Sequence, residues 1–572
     1  MKAIIGIWDG HDAGVALVVD GTTRFAANEE RYTRRKLEVG FPARSLAEAM
    51  RHVPPGAEVH YAVTTSDPAK CLTRFIPSLK ESYYRLRRRK DFPGALYSLK
   101  RRFKYGFTQL PPSSFFQAYT RAYFAKKLGV PRERVTLIDH HEAHAAGAAF
   151  GTKWDGPAAI MTLDGIGDGL SGSFWRLERG QLTRLNTIRG RDSLGLFFEH
   201  VTTQMGMREL EDEGKVMALA TLASPVPDAE NPFLKWFTLG ADDNGYPTIG
   251  CSIAPMGMAS AIARVAWHWP REQVCYMAQR TLEILVPAIA ARITKATGVQ
   301  NLGYAGGVAS NIKVNRLIRL YSGASRFFVF PHMGDGGLAI GAAWAAGARS
   351  GTVPHPLPHL FLGTDIDGEF IRRETEKLAQ QLGVSVRRPD DIVAETARLI
   401  AEGQVVMWYQ GAMELGPRAL GHRSILARPD SLEVKDDLNL RLKRRVWFQP
   451  FCPSMLASEA LRLLSDYRPS DENPYMTCGF QVRKEMLPRI VGVVGPDGSC
   501  RPQMVSDADP SRYRQLLGAI GQRTGVGVVL NTSFNLHGEP VVNTPAEAID
   551  TWWRSEVEHL VIDDMLLQKR PA

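Results

Sequence analysis

Asp164-Gly165-Ile166-Gly167-Asp168-Gly169 follows an apolar run at 158–163 and precedes another at 171–175. An acidic residue with glycines between two strand-like runs is a turn signal. The chain opens on the same scheme. Apolar or β-branched runs at 3–8, 15–19 and 23–28 are separated by Asp9-Gly10-His11-Asp12-Ala13-Gly14 and by Asp20-Gly21. Two strand, glycine turn, strand units predict a duplicated α/β domain. Backbone amides in such turns approach phosphate closely because no Cβ intervenes, so a nucleotide is expected between the halves.

Between the two units lies Asp139-His140-His141-Glu142-Ala143-His144, after a strand-like run at 135–138. Asp139 and Glu142 fit a capping box, so a helix is expected to begin here. His140 and His144 are four apart, which puts both imidazoles on one helix face. That is half a site for a first-row metal. Residues 302–305 then read as a strand running into Gly306-Gly307-Val308-Ala309-Ser310-Asn311 and a helix, an arrangement that favours an anion. A strand at 327–330 leads to Pro331-His332-Met333-Gly334-Asp335-Gly336-Gly337 and a small-residue helix at 338–346.

A proline-rich connector, Gly351-Thr352-Val353-Pro354-His355-Pro356-Leu357-Pro358, marks a boundary near 350–366. The predicted domains are 1–355 and 363–572. The second is again α/β, with helices near 369–382 and 391–402 and a strand at 404–408. Its conspicuous loop is Glu414-Leu415-Gly416-Pro417-Arg418-Ala419-Leu420-Gly421-His422-Arg423. Lys443-Arg444-Arg445, Arg501 and Leu530-Asn531-Thr532-Ser533-Phe534-Asn535 supply further cations and amides. Arginine binds phosphate and carboxylate bidentately, so an anion site is expected in this domain.

The 572 residues suit several domain-sized units, and 44% hydrophobic with 23% charged is ordinary for a soluble enzyme. No window holds eighteen uncharged apolar residues, and the start lacks a signal-peptide pattern, so neither a membrane nor export is expected. Six scattered cysteines without a CxxC pair argue against a zinc ribbon or disulfide framework and fit a cytoplasmic protein. The net charge of +10 is concentrated near 85–104, where Arg85, Arg87, Arg88, Arg89, Lys90, Lys100, Arg101, Arg102 and Lys104 alternate with aromatics. That stretch reads as a solvated helical insertion, or as a dock for nucleic acid, an anionic membrane surface or an acidic partner such as a carrier protein.

Together these motifs resemble the ATP-dependent O-carbamoyltransferases of antibiotic tailoring and nodulation-factor synthesis. The resemblance rests on Gly10-His11-Asp12-Ala13, Asn28-Glu29-Glu30-Arg31-Tyr32-Thr33-Arg34, the His140/His144 run, Asp164-Gly165, Glu213-Gly214-Lys215-Val216-Met217, 306–311 and Gly334-Asp335-Gly336. In the second domain it rests on Gly416-Pro417-Arg418-Ala419-Leu420-Gly421, Pro450-Phe451, 530–535 and Gly538-Glu539-Pro540. It implies a duplicated ASKHA-type first domain, like actin-like ATPases and the tRNA threonylcarbamoyltransferases, and a YrdC-like α/β second domain. It implies ATP with Mg2+, and carbamoyl phosphate as co-substrate. Carbamoyl adenylate forms in the second domain, and the carbamoyl group passes to a hydroxyl of a secondary metabolite in the first.

On this resemblance His140, His144, Asp164 and Asp335 hold one divalent metal, Fe2+ by the family's precedent although these ligand types suit iron, manganese or zinc alike, with Asp164 also touching substrate. His11 is the candidate general base for the acceptor hydroxyl. Glu30 and Arg34 line the acceptor pocket, while Lys215, Gly306, Gly307 and Asn311 contact nucleotide. Arg418 and Lys443 are catalytic in the second domain, with Arg423, Arg501, Asn531 and Ser533 binding cofactor there. The acceptor is a small molecule, free or on a carrier protein. No nucleic-acid partner is expected, and a homodimer is compatible. Where relatives read Lys-x-Arg-Glu and Phe-Arg-Pro, this chain has Val446 and Gln449 in place of the carboxylate and the arginine. A threonylcarbamoyl-type tRNA modification enzyme and an inactive nucleotide-binding scaffold are the competing readings.

Overall fold

The computed structural model describes residues 1–76, 78–79, 81–82, 84 and 108–569. The basic stretch 85–104 therefore lies outside the described residues. The chain divides into two compact units: Met1–Glu29 with Leu37–Pro358, and Glu30–Lys36 with His359–Ala572. No helix is long and apolar enough to cross a membrane, among the described residues.

The first unit contains the same sheet twice. In the first copy β1 (Lys2–Trp8), β2 (Gly14–Val19) and β3 (Thr22–Asn28) form an antiparallel meander, and β4 (Glu58–Thr64) and β5 (Val135–Ile138) extend it in parallel from β1. In the second, β6 (Ala158–Gly167), β7 (Leu170–Glu178) and β8 (Gln181–Arg189) form the meander. A side hairpin, β9 (Phe237–Ala241) and β10 (Pro247–Cys251), precedes the parallel pair β11 (Asn301–Ala305) and β12 (Arg326–Val329). The orders, β3-β2-β1-β4-β5 and β8-β7-β6-β11-β12, are identical. This is the duplicated α/β domain that the two glycine turns predict.

Each copy ends in a helix, His140–Phe150 and Leu338–Arg349, and the two pack together. Their small residues make this possible. A Cβ on Gly341 would lie 2.0 Å from the Ala143 carbonyl oxygen. Asp139 caps the first helix, its Oδ1 accepting from the Glu142 N–H at 3.0 Å. The other half of the expected capping box does not form, because the Glu142 carboxylate pairs with Arg349 instead.

The second unit is built on a mixed eight-stranded sheet. Its strands are β13 (Ser385–Arg387), β14 (Val406–Tyr409), β15 (Arg423–Ala427), β16 (Cys452–Leu456), β19 (Gln503–Val505), β20 (Val528–Ser533), β21 (His559–Ile562) and β22 (Met565–Gln568). A small hairpin, β17 (Phe480–Gln481) with β18 (Ser499–Cys500), stands apart from it. The sheet order is β13-β22-β21-β14-β15-β20-β16-β19. Alternation along β14 builds two cores. Val406 and Trp408 join Leu399, Leu516 and Ile520 on one face, while Met407 and Tyr409 join Ile425, Leu530 and Trp552 on the other.

The short segment Glu30–Lys36, assigned by the sequence boundary to the first domain, belongs by its contacts to this second unit. Arg31 donates to the Gly416 carbonyl at 3.0 Å, and Tyr32 shares a hydrogen bond with Thr364 at 2.8 Å. Arg34 donates to the Val541 and Pro540 carbonyls at 2.7 and 3.0 Å.

Candidate metal centre and cation pocket

Two helix positions and two loop-edge acids converge in the first unit. His140 and His144 project from one face of their helix; Asp164 sits where β6 bulges, and Asp335 where the 334–337 turn starts the second small-residue helix. One ligand atom from each lies within 4.8 Å of all the others. His140 Nε2 is 3.1 Å from Asp164 Oδ2 and 3.6 Å from Asp335 Oδ1; His144 Nε2 is 3.8 and 3.6 Å from the same atoms.

The surroundings hold these groups in place. Gly307 N–H donates to Asp164 Oδ1 at 2.7 Å, leaving Oδ2 to the imidazoles. Thr65 Oγ1 is 3.1 Å from His140 Nδ1, the usual way of directing a ligating histidine's other nitrogen. Asp168 accepts the His140 backbone N–H at 2.9 Å. His11 Nε2 lies 3.3 Å from Asp335 Oδ2.

Charge in the cluster is tightly balanced. Burial pushes the His140 imidazole down, but the Asp335 and Asp164 carboxylates overcome it and hold it up at about 9. Burial likewise opposes ionisation of Asp164, and the two imidazoles outweigh it, keeping that carboxyl well below its usual range. Burial, then the Asp139 and Asp67 charges, pushes Asp168 up to about 7. The donor set fits a divalent first-row ion: two imidazole nitrogens and two carboxylate oxygens, all buried, with His144 Nε2 lacking any hydrogen-bond partner.

The second unit gathers cations. Cys452 opens β16 opposite Asn531 of β20, and Arg501 reaches back to Cys452 Sγ with Nε at 3.1 Å and Nη2 at 2.8 Å. Arg445 lies over the Phe451 ring at 4.2 Å and donates to Asn439 Oδ1 at 2.6 Å. Arg418 Nε is buried with no hydrogen-bond partner among the described residues. Burial first, then the like charge of Arg501, works against the Arg418 guanidinium. Burial does the same to Arg445. None of the three has a carboxylate within 4.0 Å among the described residues. Such a cluster matches an incoming anion, because guanidinium donors suit phosphate and carboxylate oxygens.

Residues 3–344 match the family model described as carbamoyltransferase N-terminus, and residues 397–569 match that described as carbamoyltransferase C-terminus. The chain belongs to the carbamoyltransferase family. It is an enzyme of carbamoyl transfer. Nodulation protein NolNO of Sinorhizobium fredii is 31% identical over 571 residues, spanning 98% of this chain and 79% of that protein. Nodulation protein NolO of Bradyrhizobium diazoefficiens is 33% identical over 442 residues, spanning 76% and 79%. Among solved structures, full-length HypF in its phosphate- and nucleotide-bound form aligns with a TM-score of 0.35 and 13% identity over 61% of this chain and 55% of that one.

In this carbamoyltransferase several residues predicted to contact nucleotide have protein partners. Gly306 N–H is committed to the Met333 carbonyl at 2.8 Å and Gly307 N–H to Asp164, so neither cradles phosphate. Asn311 caps helix Ile312–Tyr321 and exchanges two hydrogen bonds with Gln279, at 3.2 and 2.8 Å. Its amide oxygen and one of its two amide N–H groups are thereby engaged. Lys215 forms an ion pair with Asp212 at 2.7 Å.

Arg423 is also corrected. Fully buried and stacked 3.5 Å over Tyr409, it donates to the carbonyls of Gln410, Gly411, His422 and Asn543. It clamps a loop rather than meeting a ligand. Lys443 points Nζ at the Ser533 carbonyl and at both oxygens of Asn535, so it offers charge but no spare donor. Ser533 Oγ donates to Asn535 Oδ1 at 2.7 Å, and Asn531 donates to the Ala419 carbonyl and Ser454 Oγ at 3.0 and 2.9 Å. Glu30 pairs with Arg31 at 3.1 Å, and Arg34 lies 3.3 Å from Glu547.

Two residues at these sites have no role in the sequence analysis: Arg445, which is the third of three consecutive cations, and Asp168, which sits in a glycine turn.

Proposed function

We propose that this carbamoyltransferase is an ATP-dependent O-carbamoyltransferase acting in two steps at two sites. In the second unit water takes the phosphoryl group of carbamoyl phosphate, freeing inorganic phosphate and carbamate, and the carbamate attacks the α-phosphorus of MgATP. The new P–O bond makes carbamoyl adenylate and releases pyrophosphate. In the first unit a hydroxyl of a small secondary metabolite, free or carrier-bound, attacks the carbamoyl carbon, and AMP leaves.

The observation that carries this reading is the cluster of Arg418, Arg445 and Arg501, three guanidiniums without a carboxylate partner among the described residues. Their charges would hold the anionic substrates and offset charge developing on the phosphates. In the first unit His140, His144, Asp164 and Asp335 would hold a divalent ion, Fe2+ in the family the sequence resembles. Such an ion supplies Lewis-acid stabilisation of phosphate oxygens. His11, with Nε2 3.3 Å from Asp335 Oδ2, would take the acceptor's proton.

The test is pyrophosphate release by the full-length protein given ATP and carbamoyl phosphate. Release that requires carbamoyl phosphate supports the reading. Absence of release overturns it.

A further inference from the structure

Lys70 lies in the first turn of helix Pro68–Phe75, where the capping Asp67 accepts its backbone N–H at 2.9 Å. Its half-buried side chain is within electrostatic reach of Asp335, one of the four candidate ligands. Nζ is 4.3 Å from the Trp8 ring centroid. An ideal Cβ on Gly10 would fall 2.5 Å from that nitrogen and 1.9 Å from the indole, so the glycine leaves the space the ammonium uses. The same indole donates to the His11 carbonyl at 2.8 Å and meets the His140 ring edge-on at 5.9 Å. One ring therefore separates Lys70 from a metal ligand and from the candidate base.

The neighbouring acids already have partners. Asp9 is held by Arg74 through two hydrogen bonds of 2.9 Å each. Asp67 caps the helix, and Asp335 faces His11, His140 and His144. Lys70 Nζ has no hydrogen bond and no carboxylate within 4.0 Å among the described residues. Burial pushes the ammonium down, while Asp9, Asp67 and Asp335 support its charge through space and Arg74 opposes it. A partly desolvated cation with no direct partner is costly until an anion reaches it.

We propose that Lys70 binds the phosphate of the carbamoyl adenylate in the first unit and takes up the charge that develops on it as AMP leaves. This rests on the two-site reading above. In the step, the acceptor oxygen bonds to the carbamoyl carbon and its proton goes to a base. The bond from that carbon to the phosphate oxygen breaks, and its electron pair stays on AMP. The phosphate gains one negative charge, so an ammonium beside it favours the late structure over the ground state.

AMP is the probe, titrated calorimetrically into full-length protein carrying Arg418→Ala to weaken binding in the second unit. Adding Lys70→Met is expected to weaken the remaining AMP binding by about tenfold or more, the scale of a lost charge pair, and Lys70→Arg to retain it. If Lys70→Met does not fold, Lys70→Gln carries the same expectation. Equal affinity with and without the Lys70 change overturns the proposal, as does absence of AMP binding in the Arg418→Ala protein. Failure of the two-site reading shows separately, as wild-type protein that releases no pyrophosphate from ATP and carbamoyl phosphate.

Discussion

Gly307 fixes Asp164: its N–H holds Oδ1 at 2.7 Å, and Oδ2 is thereby presented to His140 at 3.1 Å. A Cβ at Gly307 would stand 2.7 Å from Oδ1. Gly307→Ala should turn the carboxylate and weaken binding of a probe ion such as Mn2+ by about 10- to 100-fold, the usual cost of losing a partner that orients a ligand. Calorimetric titration of the apo-protein checks this, and unchanged affinity contradicts it. Gly306→Ala should be harsher. With φ +99° and a Cβ that would meet the Leu163 carbonyl oxygen at 2.1 Å, it should lower the melting temperature.

His140→Ala and His144→Ala should lose carbamoyl transfer and bound metal while still releasing pyrophosphate. Elemental analysis and the two half-reactions, measured separately, decide this. Equal loss of both half-reactions would remove the assignment of the chemistry to two sites.

Arg418→Ala and Arg423→Ala should fail in different ways. Arg418 has no protein acceptor for its buried Nε, so its loss should raise KM for carbamoyl phosphate by about tenfold or more with little change in melting temperature. Arg423 satisfies four carbonyls, so its loss should destabilise the fold by about 3 kcal/mol or more. Denaturant titration beside steady-state kinetics separates the two, and a reversed pattern would exchange their roles.

Glu213 supplies a pH signature. Its Oε1 accepts the Leu210 N–H at 2.7 Å, and burial pushes the carboxyl up to about 8. The folded state then holds a proton that the unfolded chain releases near the ordinary glutamate value of about 4.3. This group therefore costs stability progressively as pH rises from about 4.3 to about 8. Glu213→Gln should flatten the fall in melting temperature between pH 5 and pH 8 and raise it at the upper end. Parallel curves for the two proteins would show that the group has no such influence.

The His140/His144 pair was legible because helix periodicity alone puts both imidazoles on one side. Asp164 and Asp335 were assigned by the family resemblance; spacing alone showed only that each lies in a glycine-rich turn after a strand-like run. Arg423 and Asn311 were misread for a shared reason. A polar side chain in a glycine-rich loop serves a ligand or the loop's own backbone, and one-dimensional spacing does not distinguish them. Lys70 carried no signal, since its placement depends on the absent side chain at Gly10 and on the Trp8 ring, both far away in the sequence. Arg445 was hidden by its neighbours, as one of three consecutive cations of which only the first was selected.

The Glu30–Lys36 segment makes the polypeptide cross from one unit to the other and back before most of the first unit has been synthesised. A fragment beginning at the proline-rich connector would lack the donors that Arg31 and Arg34 give to Gly416, Pro540 and Val541. Dissecting this enzyme by truncation should therefore yield an aggregation-prone C-terminal piece, rescued when a peptide covering 30–36 is supplied in trans or fused ahead of residue 359.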